Sequence, residues 1–97
     1  MTDGNDEVLT ERIEQLLKKR EPPKTICPSE VPRSFSSAEL RDLGVSEWRD
    51  LMPRIRELLW VMKENDEVEI MQRGEPIAAD MSLEDIQGPI RARRKIS

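Results

Sequence analysis

Between Ser46 and Pro76 the chain reads SEWRDLMPRIRELLWVMKENDEVEIMQRGEP, and the spacing of its apolar residues changes once, near Glu64. Before that point Trp48, Leu51, Met52, Ile55, Leu58, Leu59 and Met62 recur every three or four residues. At about 100° per residue they fall on one stripe of an amphipathic helix, a face built for burial. Ser46 is the expected N-cap, and Glu47 and Asp50 stand where the helix dipole favours acids. Pro53 falls inside the pattern, so its ring and missing N–H predict either a kink or a break at which Pro53 opens a new first turn. Glu64-Asn65-Asp66 ends the helix. Beyond it Val68, Ile70 and Gln72 alternate with Glu67, Glu69 and Met71, the period of a half-buried strand with a charged outer face. Arg73-Gly74-Glu75-Pro76 breaks that strand at a turn that Gly74 permits.

Upstream, Leu9, Ile13, Leu16 and Leu17 predict a first helix over Glu7 to Arg20, acidic at its start, basic at its end and stopped by Glu21-Pro22-Pro23. Thr25-Ile26 reads as a brief extended segment. Cys27-Pro28-Ser29-Glu30 starts a second helix, which Pro32 keeps short or bent and which ends near Ser34. Ser36-Ser37-Ala38-Glu39 has capping-box spacing, with Leu40 and Leu43 as apolar anchors and Gly44 as a stop, so a further short helix fills the turn. Downstream, a loop from Ile77 to Gln87 carries one helical turn begun at Ser82. Gly88-Pro89 then leads into Ile90-Arg91-Ala92-Arg93, with Ile90 and Ala92 facing inward. A helix-turn-helix that hands over to a strand, a turn and a returning strand predicts an α+β winged helix-turn-helix, with three to four helices and a small antiparallel β-hairpin wing.

The 97 residues suit one domain over 1–97, with 1–6 and 95–97 expected as flexible tails. Only Trp48, Trp60 and Phe35 supply aromatic bulk, so the core is mostly aliphatic. With no histidine and the single Cys27, an internal disulfide, a Cys/His zinc set and a Ser-His-Asp or Cys-His nucleophile are all excluded. The expectation is therefore no enzyme, no catalytic residues, no cofactor and no metal. Cys27, at a helix start, reads as a small buried or capping residue in preference to an activated thiol. No apolar run approaches the ~20 residues that span a bilayer, and the first residues lack the pattern of a signal peptide, so a cytoplasmic protein with no membrane role is expected. Net charge is −4, unevenly placed: Gly74 to Gly88 holds four acids and no base, and Pro89 to Ser97 holds Arg91, Arg93, Arg94 and Lys95 and no acid.

The string Thr25-Ile26-Cys27-Pro28-Ser29-Glu30-Val31, Trp48, Leu51-Met52-Pro53, Ile55-Arg56, the strand ending at Gln72 before Arg73-Gly74-Glu75-Pro76, and Gly88-Pro89-Ile90-Arg91 together resemble the domain-of-unknown-function family 3253. The resemblance covers most of the chain, from the first helix to the last strand. It implies a bacterial setting and a winged-helix, helix-turn-helix fold, and brings no biochemical activity with it. Pro32, the insertion from Phe35 to Val45 and Trp60 depart from the family's pattern.

Two functional readings stay open. In the first, duplex DNA is the partner: Arg49, Arg54 and Arg56 on the long helix meet phosphates or base edges, and Arg91, Arg93, Arg94 and Lys95 act as backbone contacts. Against it stand Glu47, Asp50 and Glu57 on the same helix and the acidic wing, which repels DNA. The last strand can equally be a solubilising edge. In the second, the domain is a protein-interaction or dimerisation module. Trp60 lies about 150° from the centre of the apolar stripe, so it is expected to be exposed unless covered by helix one or by the Phe35 to Val45 insertion, and exposed tryptophan anchors interfaces.

Overall fold

Leu9, Ile13 and Leu17 repeat every four residues, and burying that one stripe organises the first helix, α1 (Gly4–Lys18). In the computed structural model, which describes residues 4–21 and 24–95, α1 is followed by α2 (Glu30–Arg33), α3 (Ser37–Asp42) and α4 (Met52–Glu64). Strands β1 (Val68–Gln72), β2 (Glu75–Pro76) and β3 (Arg91–Arg94) complete it. The fold of the described residues is α+β, with four α-helices and a three-stranded antiparallel sheet in the order β2-β1-β3. That arrangement is compatible with a helix-turn-helix followed by a β-hairpin wing.

The α1 helix begins three residues before the apolar spacing suggests, because Asp6 is itself buried and paired across to α4. Residues 4–6 are thus helical, not a tail. At the other end Lys95 is tied to Asp66 Oδ1 at 2.8 Å, while the remainder of the two expected tails, 1–3 and 96–97, lies outside the described residues.

The turn between helices is set by local chemistry. Ser36 Oγ accepts from the Glu39 N–H at 3.2 Å and the Glu39 carboxylate accepts from the Ser36 N–H at 2.9 Å, the reciprocal pairing that satisfies two otherwise orphaned donors of α3. From α1, Arg12 donates to the same Glu39 at 2.7 Å and stacks over Phe35, 4.1 Å from the ring centroid. The insertion is thereby pinned to α1.

Pro53 resolves as a break. A 3-10 turn over Trp48–Leu51 precedes α4, and Pro53 occupies its first turn, where a missing N–H costs nothing. The expected cap at Ser46 is not used; the Asp50 carboxylate instead accepts from the N–H groups of Ser46 and Glu47, each at 3.2 Å. Leu51, Ile55, Leu58, Leu59 and Met62 are buried, as their stripe requires.

Strand β1 has the residues its alternation predicts, and Val68 pairs with Arg94, Glu69 with Arg93, Ile70 with Ala92 and Met71 with Arg91. Two features go beyond the alternation. Arg73 (φ 55) and Gly74 (φ 82) are both left-handed, the two-residue turn whose twist matches a hairpin, and it returns the chain into the short strand β2. On the other side β3 is not a bare edge: Ile26 N–H donates to Ala92 O at 2.7 Å and Ala92 N–H to Ile26 O at 2.9 Å. The extended segment after α1 therefore becomes an added rung of the sheet. Ile26, Val68, Ile70 and Ala92 face the helices and join Leu9, Ile13, Ile55 and Leu59 in one core.

Candidate functional site

The seven cations picked out by sequence separate into two groups with different electrostatic surroundings. At the start of the long helix, Arg49 lies over the Trp48 ring at 4.5 Å, and Arg33, from α2, approaches the same ring at 5.8 Å. Trp48 is half-buried, and the Arg33 contact links α2 to the start of the long helix. Arg56 lies seven residues beyond Arg49, in the first half of α4, and is half-buried. Among the described residues Arg33, Arg49 and Arg56 enter no ion pair. Arg33 escaped the sequence reading because nothing in a four-residue helix says which way its last side chain points.

Arg54 differs from its neighbours. Its guanidinium holds Asp6 of α1 bidentately through Nε and Nη2, and Nη1 donates to Glu57. The hydrogen bond from Arg54 holds the Asp6 carboxyl below its ordinary value, and the two acids in turn raise the guanidinium's already high pKa. Moving Arg54 to a phosphate strands a buried carboxylate, so its pairing with Asp6 ties α1 to α4.

The cations of the last strand are also engaged. Arg91 donates through Nε to Thr25 Oγ1 and through Nη2 to Thr25 O at 3.3 Å. Arg93 faces Glu69 at 3.4 Å, and Lys95 pairs with Asp66 at 2.8 Å, which raises the lysine's pKa and lowers the aspartate's. Arg94 is exposed and enters no ion pair among the described residues. Exposed pairs of this kind are worth about 0.2–1 kcal/mol, so they weaken a phosphate contact without forbidding it.

Trp60 reverses the expectation of exposure. It is 6% exposed, and its indole N–H donates to Met81 O at 3.1 Å. The loop from Ile77 to Gln87 supplies part of its cover. Ile77, Met81 and Leu83 pack onto the core, Ile86 is buried, and Lys63 Nζ donates to Ala79 O at 2.9 Å. Period-3.6 reasoning places Trp60 off the core stripe correctly, but a loop with no periodicity announces no docking site.

A family model matches the chain over residues 6–95. The chain belongs to the DUF3253 family, described as proteins of unknown function. No curated protein matches it. In this DUF3253 domain no group of three or more metal-ligating side chains occurs among the described residues, and no described helix is long and apolar enough to cross a membrane.

The far side of the sheet carries a concavity of about 630 Å³ between the β1–β2 turn and the Gln87–Pro89 segment. Cys27 is half-buried in its lining, with its N–H donating to Glu30 Oε2 at 2.6 Å and its Sγ 3.2 Å from Ser29 Oγ.

Proposed function

We propose that the domain is a duplex-DNA-binding module of the helix-turn-helix type, with Arg33, Arg49 and Arg56 as its phosphate contacts. The observation that carries this reading is that Arg33 and Arg49 share one tryptophan ring at the start of the long helix and, with Arg56 in α4, enter no ion pair among the described residues. Cations held on an aromatic face keep their donors outward and lose little entropy on meeting phosphate. The paired Arg54, Arg93 and Lys95 contribute less, and the exposed acids Glu75, Glu84 and Asp85 on the wing keep that element away from the backbone.

A salt titration of anisotropy with a mixed-sequence duplex tests it. Three neutralised phosphates give log K against log salt a slope of about −3. Replacing Arg33, Arg49 and Arg56 with alanine should abolish binding, whereas Arg93→Ala should change it little. No binding at low ionic strength rejects the proposal. A second reading, a homodimer, draws on Val61, 52% exposed beside Leu58 in the shallow groove between α1 and α4. Sedimentation at tens of micromolar separates it from the first: a monomer removes it.

A further inference from the structure

The alternation of β1 and β3 sends Val68, Ile70 and Ala92 toward the helices and Glu69, Met71, Arg91 and Arg93 to the opposite face. Met71 is nevertheless only 6% exposed, and it stands outside the main core cluster. A buried apolar side chain on the face turned away from the core needs another surrounding, and it has one: Met71 belongs to the lining of the 630 Å³ concavity, with Pro89 and Ile90.

The charged part of that lining is of one sign. Arg73, Arg91 and Arg93 contribute to it, and not one of its twelve residues is an acid, in a chain with 20 acidic residues and a net charge of −4. Among the described residues Arg93 alone of the three has a carboxylate partner, Glu69 at 3.4 Å. Arg91 is held by two oxygens of Thr25 that orient it without neutralising it. Glu30, the acid that feels the Arg91 charge, is already engaged by Arg20 at 2.6 Å and by the Cys27 N–H. The walls are joined before any ligand arrives, since Gln72 Nε2 donates to Gln87 O at 2.6 Å. Concave, partly apolar, preformed and with cationic side chains in the lining is the description of a small-molecule site, and the volume falls in the usual range of about 300–1,000 Å³.

We propose that this concavity binds a small organic anion, its carboxylate or sulfonate head on Arg73 and Arg91 and its apolar body against Met71 and Ile90. The site shares no residue with Arg33, Arg49 and Arg56, so it goes beyond the DNA reading and stands or falls separately from it. A phosphodiester backbone offers nothing to the apolar floor, whereas an amphipathic anion uses both parts.

The test titrates the full chain with 1-naphthalenesulfonate, followed by amide and methionine-methyl NMR, with inorganic sulfate and neutral 1-naphthalenemethanol as comparators. Shifts confined to Met71, Gly88 and Arg91, and slower alkylation of Cys27 by iodoacetamide at saturation, are expected. The Arg73→Asn, Arg91→Gln double variant should lose at least about tenfold in affinity. Because Arg91 also ties β3 to Thr25, Arg73→Asn alone is the second variant; asparagine tolerates the φ of 55 at that turn, so a weakened site there reports charge and not misfolding. Equal affinity for sulfate or for the neutral alcohol overturns the proposal. So do shifts spread over the surface, affinity unchanged in both variants, or displacement of the probe by duplex DNA.

Discussion

Replacing Trp60 tests how the loop from Ile77 to Gln87 is held, because its indole, beside Lys63, joins that loop to α4. The ring is 6% exposed, its N–H donates to Met81 O, and the Lys63 ammonium sits 5.8 Å from its centroid while bonding Ala79 O. Trp60→Ala removes the buried ring and leaves a cavity beside Met81, a change that costs about 3–5 kcal/mol. Against a total of about 5–15 kcal/mol that is a large fraction of the stability, and in a domain of this size each kcal/mol lowers Tm by about 4–8 °C. Trp60→Phe keeps most of the ring but loses one hydrogen bond and some contact area, for about 1–2 kcal/mol. Urea unfolding measures both. Native-state hydrogen exchange localises the effect, with the amides of Ile77, Met81 and Asp85, bonded to Ile70, Ala78 and Ser82, as reporters. Those amides should exchange faster in Trp60→Ala while β1–β3 amides track global stability. A loss below about 1 kcal/mol together with unchanged loop exchange would refute the seating of Trp60 under the loop.

Asp6 carries a pH dependence. Its folded pKa lies below the ordinary 3.8 because of the bond from Arg54, so its contribution is present above 3.8 and disappears as pH falls through the lowered folded value. The stability difference between wild type and Asp6→Asn, read from urea midpoints, should be constant near neutrality and shrink below pH 3.8; a gap that stays flat into acid contradicts the pairing. Gly74→Ala places a Cβ in open space at a φ of +82, so its cost is backbone strain alone, about 1–2 kcal/mol, whereas Gly74→Asn should cost less. Equal penalties for alanine and asparagine would mean the turn is not left-handed.

Periodicity determined the local elements on its own. The stripe from Trp48 to Met62, the alternation of Val68 to Gln72, the Ser36–Glu39 capping box and the turn at Gly74 are each written into residues three, four or two positions apart, a range at which side chains meet whatever the rest of the chain does. Pro53 narrowed its own outcome to a kink or a new start, and the 3-10 turn before α4 selected the second.

Tertiary structure decided what the surface residues are for. Seven cations looked alike in sequence, yet Arg54 faces a buried Asp6 that is 48 positions away, Arg91 faces Thr25 at 66, and Arg93 has Glu69 as its strand partner. Ion pairing depends on which side chains converge in space, and no periodic signal encodes it. The same holds for Trp60, covered in part by a loop without repeat, and for Met71, buried on the face its alternation assigns to solvent. Short-range spacing specifies which face an element buries; only the packed chain determines what stands opposite every other face.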